Sequence, residues 1–93
     1  MPASAKITIL NVDDHEAGRY ARSRALRNAG FEVLEASSGA EALHLVNSKH
    51  PPLVLLDINL PDMTGYDVCR QIKSAPRTRQ VPVLMRRCPR AGH

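Results

Sequence analysis

The chain has 93 residues, a formal net charge of +4 and an apolar fraction of 43%, of which few residues are aromatic. A chain of this length forms one domain with a modest core, and its aliphatic composition suits a parallel sheet covered by helices. No apolar run is long enough to cross a membrane, and the two cysteines lack metal-ligand spacing, so neither a membrane span nor a zinc site is expected.

The positive charge is concentrated near the C-terminus. Up to Ala75 the chain has eight Lys or Arg and nine Asp or Glu, whereas from Pro76 onward it has five Arg and no acid. Nucleic-acid binding typically needs basic residues interleaved with aromatic ones, and this C-terminal stretch has no aromatic residue. We therefore expect that the chain does not bind nucleic acid directly. With only two cysteines and no signal-peptide pattern, we expect a cytoplasmic protein with reduced thiols.

The N-terminal half alternates between strand and helix patterns. An apolar run predicts a first strand over 7–12, and a helix over 16–28 follows, because Ala29-Gly30 is a usual stop signal for a helix. Small residues at helical spacing predict the helix face that lies close to the sheet, which leaves three arginines in solvent. The small residues are Gly18, Ala21, Ala25 and Ala29, and the arginines are Arg19, Arg22 and Arg27.

The alternation continues along the chain. A charged run over 31–36 predicts an edge strand, and Ser38 with Glu41 has the form of a capping box that begins a second helix. An apolar run over 53–57 predicts the third strand. A third helix over 66–74, with Val68 and Ile72 facing the core, precedes a fourth strand over 81–85. This order predicts right-handed crossovers and a parallel α/β sheet.

Two of the predicted strands end on acidic residues. The first strand is followed by Asp13 and Asp14, and the third ends on Asp57 before a loop that contains Pro61 and Gly65. If these strands are neighbours, three carboxylates meet at the carboxyl edge of the sheet, where α/β proteins bind ligands. We expect Asp57 to be presented to solvent there. Carboxylates this close need a cation or a proton between them, and a set of oxygen ligands suits Mg²⁺.

These residues at this spacing resemble the receiver domain of response regulators in two-component signalling. The resemblance rests on Asp13-Asp14, on Asp57 and on the loop over 59–65, and it extends from about residue 6 to residue 85. It implies a flavodoxin-like (CheY-like), doubly wound parallel sheet with strand order 2-1-3-4, in which the family's fifth strand and last helices are absent.

The resemblance stops near the C-terminus. Receivers have Ser or Thr at the position of Arg87, and they continue to a fifth strand that ends near a Lys. We therefore expect one truncated receiver domain over 1–93, with an atypical basic tail over 86–93. A natural truncation, an expression artefact and out-of-frame translation are all open explanations of the tail. Arg87 is a candidate cationic replacement for the Ser or Thr.

The resemblance also implies a chemistry. Asp57 is the expected nucleophile that accepts a phosphoryl group from the phosphohistidine of a histidine kinase. Asp14 and Asp57 are expected to bind Mg²⁺ directly and Asp13 through water, and the backbone carbonyl of Asn59 completes the ligand set. The chain is then a phosphoacceptor signalling domain and not an enzyme with a separate substrate.

Two other functions stay open. One is a pseudo-receiver or truncated receiver that acts as an interaction or oligomerisation module without switching. The other is an Mg²⁺-dependent phosphohydrolase, which Asn59 disfavours because it stands where a general acid is needed. An unpaired edge on the fourth strand predicts a homo-oligomer formed through that strand and the tail.

The partner kinase, and whether this receiver belongs to a hybrid kinase or a stand-alone regulator, are also left open.

Overall fold

The computed structural model describes residues 6–86 of the chain. In this part, strands and helices alternate in the order β1 (Thr8–Val12), α1 (Glu16–Asn28), β2 (Glu32–Ala36), α2 (Gly39–Lys49), β3 (Leu53–Asp57), α3 (Gly65–Ser74) and β4 (Val83–Arg86). The helix over 16–28 has the predicted bounds. The largest difference is at β4, which begins two residues later than predicted and includes Arg86. Val81 is not part of it, because its N–H donates to the carbonyl of Thr78 in a turn.

The strands form one parallel sheet in the predicted order, β2-β1-β3-β4. Parallel neighbours require crossover connections, and the helices between the strands provide them. The fold is therefore the expected doubly wound α/β sheet, with β2 at an edge as its charges predicted. Because β1 and β3 are adjacent, their carboxyl ends meet, and the acids that follow them lie together. Arg86, the first residue of the predicted tail, belongs to β4, and the rest of the tail, residues 87–93 with Arg87, lies outside the described part of the chain.

The apolar core lies between the sheet and helices α2 and α3. Side chains alternate between the two faces of a strand, so every second residue of β1 and β3 enters this core. The predicted core residues Val68 and Ile72 of α3 are both buried. Full burial of one such side chain contributes about 1.5–3 kcal/mol. The buried members of the cluster are Leu10, Val12, Ala36, Ala42, Val46, Val54, Leu56, Val68 and Ile72.

The opposite face of the sheet, under α1, has a polar centre. Asn11 of β1 is fully buried, and its amide donates to Ser23 Oγ at 3.0 Å and to the carbonyl of Arg19 at 3.1 Å. Ser23 is the buried residue of α1, whereas the predicted face of small residues is exposed at Ala21, Ala25 and Ala29. That prediction was wrong, because the face of α1 that lies on the sheet is the one with Ser23, which accepts a hydrogen bond from Asn11.

In this orientation of α1, two of its arginines contact acidic residues of the sheet and of the loop after β1. Arg19 Nε lies 3.0 Å from Glu35 Oε1 of β2, and Arg22 Nη1 lies 3.4 Å from Asp13 Oδ2. Both side chains are largely covered, so the prediction that they project into solvent was wrong. Arg27 is more exposed, at 52%, and lies 3.8 Å from Glu35.

Local hydrogen bonds begin the helices that follow β2 and β3. Ser38 Oγ accepts from the N–H of Glu41, as predicted, but the Glu41 carboxylate accepts from Ser37 and not from Ser38. The predicted capping box of α2 is therefore only half formed. A complete capping box begins α3, between Thr64 and Asp67. No helix in residues 6–86 has both the length and the hydropathy that crossing a bilayer requires.

Candidate functional site

The carboxyl edge of the sheet brings three carboxylates together. One carboxylate oxygen from each of Asp13, Asp14 and Asp57 can be chosen so that all three lie within 4.8 Å of one another. Asp13 and Asp57 are buried, and Asp14 is exposed. The adjacency of β1 and β3 produces this cluster, since Asp13 and Asp14 directly follow β1 and Asp57 is the last residue of β3.

Asp57 is buried, with only 1% of its surface exposed. The expectation that it is presented to solvent was wrong, because β1 and β4 flank the end of β3 and Asp13 lies within hydrogen-bonding reach. Burial raises the pKa of Asp57, and the charge of Asp13 raises it further. The N–H of Asn59, 3.4 Å from Asp57 Oδ1, and the charge of Arg86 act in the opposite direction. The ionised form of Asp57 is therefore disfavoured next to a charged Asp13.

Two arginines lie near the Asp13 carboxylate and partly offset its negative charge. Asp13 Oδ1 accepts from the N–H of His15 at 2.9 Å, while Oδ2 lies 3.4 Å from Arg22 Nη1 and 4.0 Å from Arg86 Nη1. Sequence reasoning missed both arginines, because neither lies in the motifs that contain the acids. The register of β4 against β3 pairs Arg86 with Asp57, and this pairing is a feature of the tertiary structure that the sequence does not show.

The loop after β3 returns close to the strand end. The N–H of Gly65 donates to the carbonyl of Ile58 at 2.7 Å, and Asn59 pairs with Thr64. A Cβ at position 65 would lie 2.5 Å from the carbonyl oxygen of Asp57 and 2.9 Å from Ile58 Cα. Glycine is therefore required at this position, since any side chain would push α3 away from the acidic cluster.

Asp62 connects this loop to α2. Its two carboxylate oxygens accept from the N–H of Gly39 at 2.8 Å and of Ala40 at 2.9 Å. These backbone hydrogen bonds lower the pKa of Asp62. Sequence reasoning included Asp62 in the loop motif without a role, and its partners are too distant in sequence for local spacing to reveal them.

The cluster is chemically suited to a small, hard cation. All three side chains offer carboxylate oxygens, which are the donors that Mg²⁺ prefers. The close approach of the three carboxylates is the physical evidence of fit, because a cation among them would relieve the repulsion between Asp13 and Asp57. The exposure of Asp14 leaves one side of the cluster open, so that ligands from solvent can approach.

Comparison with known proteins identifies a family. Residues 9–86 match the model of the response regulator receiver domain. The chain is 38% identical over 68 residues to the sensor protein EvgS of Escherichia coli (strain K12), covering 73% of this chain and 6% of that protein. It is 36% identical over 78 residues to the transcriptional regulatory protein AfsQ1 of Streptomyces coelicolor, covering 84% of this chain and 33% of that protein.

A solved structure agrees with these relatives. The N-terminal domain of a response regulator receiver protein from Methanoculleus marisnigri JR1 superposes with a TM-score of 0.84 at 40% identity, covering 87% of this chain and 66% of that one. The chain thus spans well under half the length of both curated relatives. With strand order, acidic cluster and family match in agreement, the chain belongs to the response regulator receiver domain family of two-component systems.

Proposed function

We propose that this chain accepts a phosphoryl group on Asp57 from the phosphohistidine of a histidine kinase. The observation that carries the proposal is the cluster of three carboxylates at the carboxyl edge of the sheet, with Asp57 as the last residue of a central strand. Family membership supports it, since receiver domains are signalling domains. We therefore propose a phosphoacceptor that modifies itself and does not turn over a separate substrate.

The proposed transfer is a nucleophilic substitution at phosphorus. An ionised Asp57 oxygen attacks the phosphorus atom, a new P–O bond forms and the P–N bond to the kinase imidazole breaks. The imidazole leaves with the electron pair of that bond and takes up one proton from solvent. Two anionic groups must approach each other in this step, so the site needs a cation to reduce their repulsion.

Mg²⁺ is the cation that we propose. Asp14 and Asp57 would hold it directly, Asp13 through water, and the backbone carbonyl of Asn59 would complete the protein ligands. Bound there, Mg²⁺ supplies charge stabilisation for the transferring phosphoryl group. The protein's own contribution is to keep Asp57 at the end of β3, through the tight turn at Gly65 and the N–H of Asn59.

Incubation with acetyl phosphate and Mg²⁺, followed by intact mass spectrometry, tests this function. We expect the wild-type protein to gain the mass of one phosphoryl group and Asp57→Asn to gain none. Glu32→Gln, which removes an exposed carboxylate from β2, is the matched control and is expected to behave as the wild type. Phosphorylation of Asp57→Asn, or none in the wild type, would contradict the proposal.

We also propose that a second copy of the chain packs against β4. Within residues 6–86, β4 pairs with β3 alone, and Leu84 on its outer face is 60% exposed. An open strand edge beside an exposed apolar side chain favours association. Any contribution of the predicted tail lies outside the described residues.

Light scattering at micromolar concentration tests the association. We expect at least a dimer for the wild type and a monomer for Leu84→Lys. Leu84 is a better position for this substitution than Val83, because Val83 packs against the core and a charge there would also unfold the protein. Leu84→Ser, which is polar and uncharged, separates loss of apolar contact from charge repulsion. A folded, strictly monomeric wild type would show this second proposal to be wrong.

A further inference from the structure

Arg86 reaches across the carboxyl edge of the sheet. It is the last residue of β4 and the register partner of Asp57 on β3. Its guanidinium nevertheless lies 4.0 Å from Asp13 Oδ2, at the end of β1. β3 lies between β1 and β4, and the charge of Arg86 lowers the pKa of Asp57, so the guanidinium lies near the Asp57 carboxylate as well as near Asp13.

The contact between Arg86 and Asp13 is loose. At 4.0 Å it is longer than a hydrogen bond, and the Arg86 side chain is 30% exposed, so the guanidinium has room to change partner. Arg22 differs in both respects. It approaches the same oxygen more closely, at 3.4 Å, and it comes from α1 and not across β3.

Binding of a divalent cation changes the balance of charge around Arg86. Next to a cation bound at the acidic cluster, the Arg86 guanidinium would be repelled from Asp13. A phosphoryl group on Asp57 would then add nearly two negative charges near the Arg86 guanidinium. The planar fork of a guanidinium binds two phosphoryl oxygens at once, which makes arginine well suited to this position.

We propose that Arg86 exchanges partners, serving as a counter-ion of Asp13 in the metal-free protein and binding the phosphoryl oxygens on Asp57 once Mg²⁺ holds the acidic cluster. The inference rests on the proposed function of the same site. It assigns to Arg86 two roles with opposite consequences. Arg86 competes with Mg²⁺ for Asp13, and it strengthens the binding of the phosphoryl group.

Two affinities measured on each variant test the exchange. NMR titration gives the affinity for Mg²⁺ alone, and titration with beryllium fluoride at saturating Mg²⁺ gives the affinity for a phosphoryl analogue. For Arg86→Ala we expect Mg²⁺ to bind more tightly and the analogue more weakly, each by on the order of tenfold. For Arg22→Ala we expect only the tighter Mg²⁺ binding. Arg24→Ala removes an exposed arginine from α1 and is expected to change neither affinity.

Arg86→Lys separates the fork geometry from the charge, and it decides the matter if the alanine variant does not fold. We expect it to bind Mg²⁺ as the wild type does and the analogue with intermediate affinity. The inference is overturned if the wild type binds both ligands but the loss of analogue affinity in the Arg86 variants is no greater than in Arg22→Ala. A wild type that binds neither ligand overturns the proposed function as well.

Discussion

At the scale of single residues, the Asp57 carboxylate lies where its own charge is unfavourable. It is buried beside Asp13, and its pKa is raised, first by burial and then by the charge of that neighbour. A folded-state pKa above the ordinary value means that the folded protein binds this proton more tightly than the unfolded chain does. Stability is therefore lost as the pH rises from the ordinary value of 3.8 through the folded-state pKa. A cation bound beside Asp57 would offset this loss.

Replacement of Asp57 by asparagine should stabilise the metal-free protein. Asp57→Asn removes the buried charge and its repulsion with Asp13, so at neutral pH in EDTA we expect Tm to rise by a few degrees, the effect of about 1 kcal/mol in a domain of this size. The difference should shrink as the pH falls through the raised folded-state pKa of Asp57 towards the ordinary value of 3.8, because Asp57 then becomes neutral in the folded protein. Thermal unfolding followed by circular dichroism measures both effects, with Glu32→Gln as the exposed control. An Asp57→Asn protein that is less stable than the wild type at neutral pH would contradict this reading of the site.

At the scale of secondary-structure elements, the loop after β3 organises two helices around the site. Gly65 begins α3 directly behind the end of β3, and Asp62 accepts hydrogen bonds from the first N–H groups of α2. These N–H groups have no partner within the helix, and a carboxylate near a helix N-terminus is also favoured by the helix dipole. The loop that follows Asp57 therefore controls the position of α2 as well as α3.

Loss of the Asp62 carboxylate should destabilise the protein at neutral pH. The pKa of Asp62 is lowered by the N–H groups of Gly39 and Ala40, so its contribution is present above the ordinary value of 3.8 and is lost as the pH falls through the folded-state pKa. We expect Asp62→Ala to lower Tm at neutral pH, and Asp62→Asn, which keeps one acceptor oxygen, to lower it less. The gap to the wild type should narrow in acid. Equal Tm values for the wild type and Asp62→Ala at neutral pH would show that α2 does not need this carboxylate.

Most of these elements could be predicted because their signals are local. The bounds of α1 follow from the Ala29-Gly30 stop, and the strands follow from short apolar runs. The rotation of α1 could not be predicted, since it depends on the hydrogen bond between Asn11 and Ser23, which are 12 residues apart and on different elements. Glu41 shows a smaller failure of the same kind, because its carboxylate selects Ser37 and not the expected Ser38.

At the scale of the whole molecule, strand order determines what the site contains. The convergence of Asp13, Asp14 and Asp57 could be predicted, because it requires only that β1 and β3 be parallel neighbours. The burial of Asp57 could not, since it depends on how the neighbouring strand ends enclose the carboxylate. The approach of Arg86 also depends on tertiary structure, because it follows from the register of β4 against β3.

The claim on which the proposed function depends is that the acidic cluster holds Mg²⁺ beside Asp57. Its most direct test is a titration of the metal-free protein with Mg²⁺, followed by NMR through the backbone amides. We predict saturable shifts centred on Asp13, Asp14, Asp57 and Asn59, and their loss in Asp14→Ala. The exposed-site variant Glu32→Gln should titrate as the wild type does. Shifts centred elsewhere, or an affinity unchanged in Asp14→Ala, would contradict the claim.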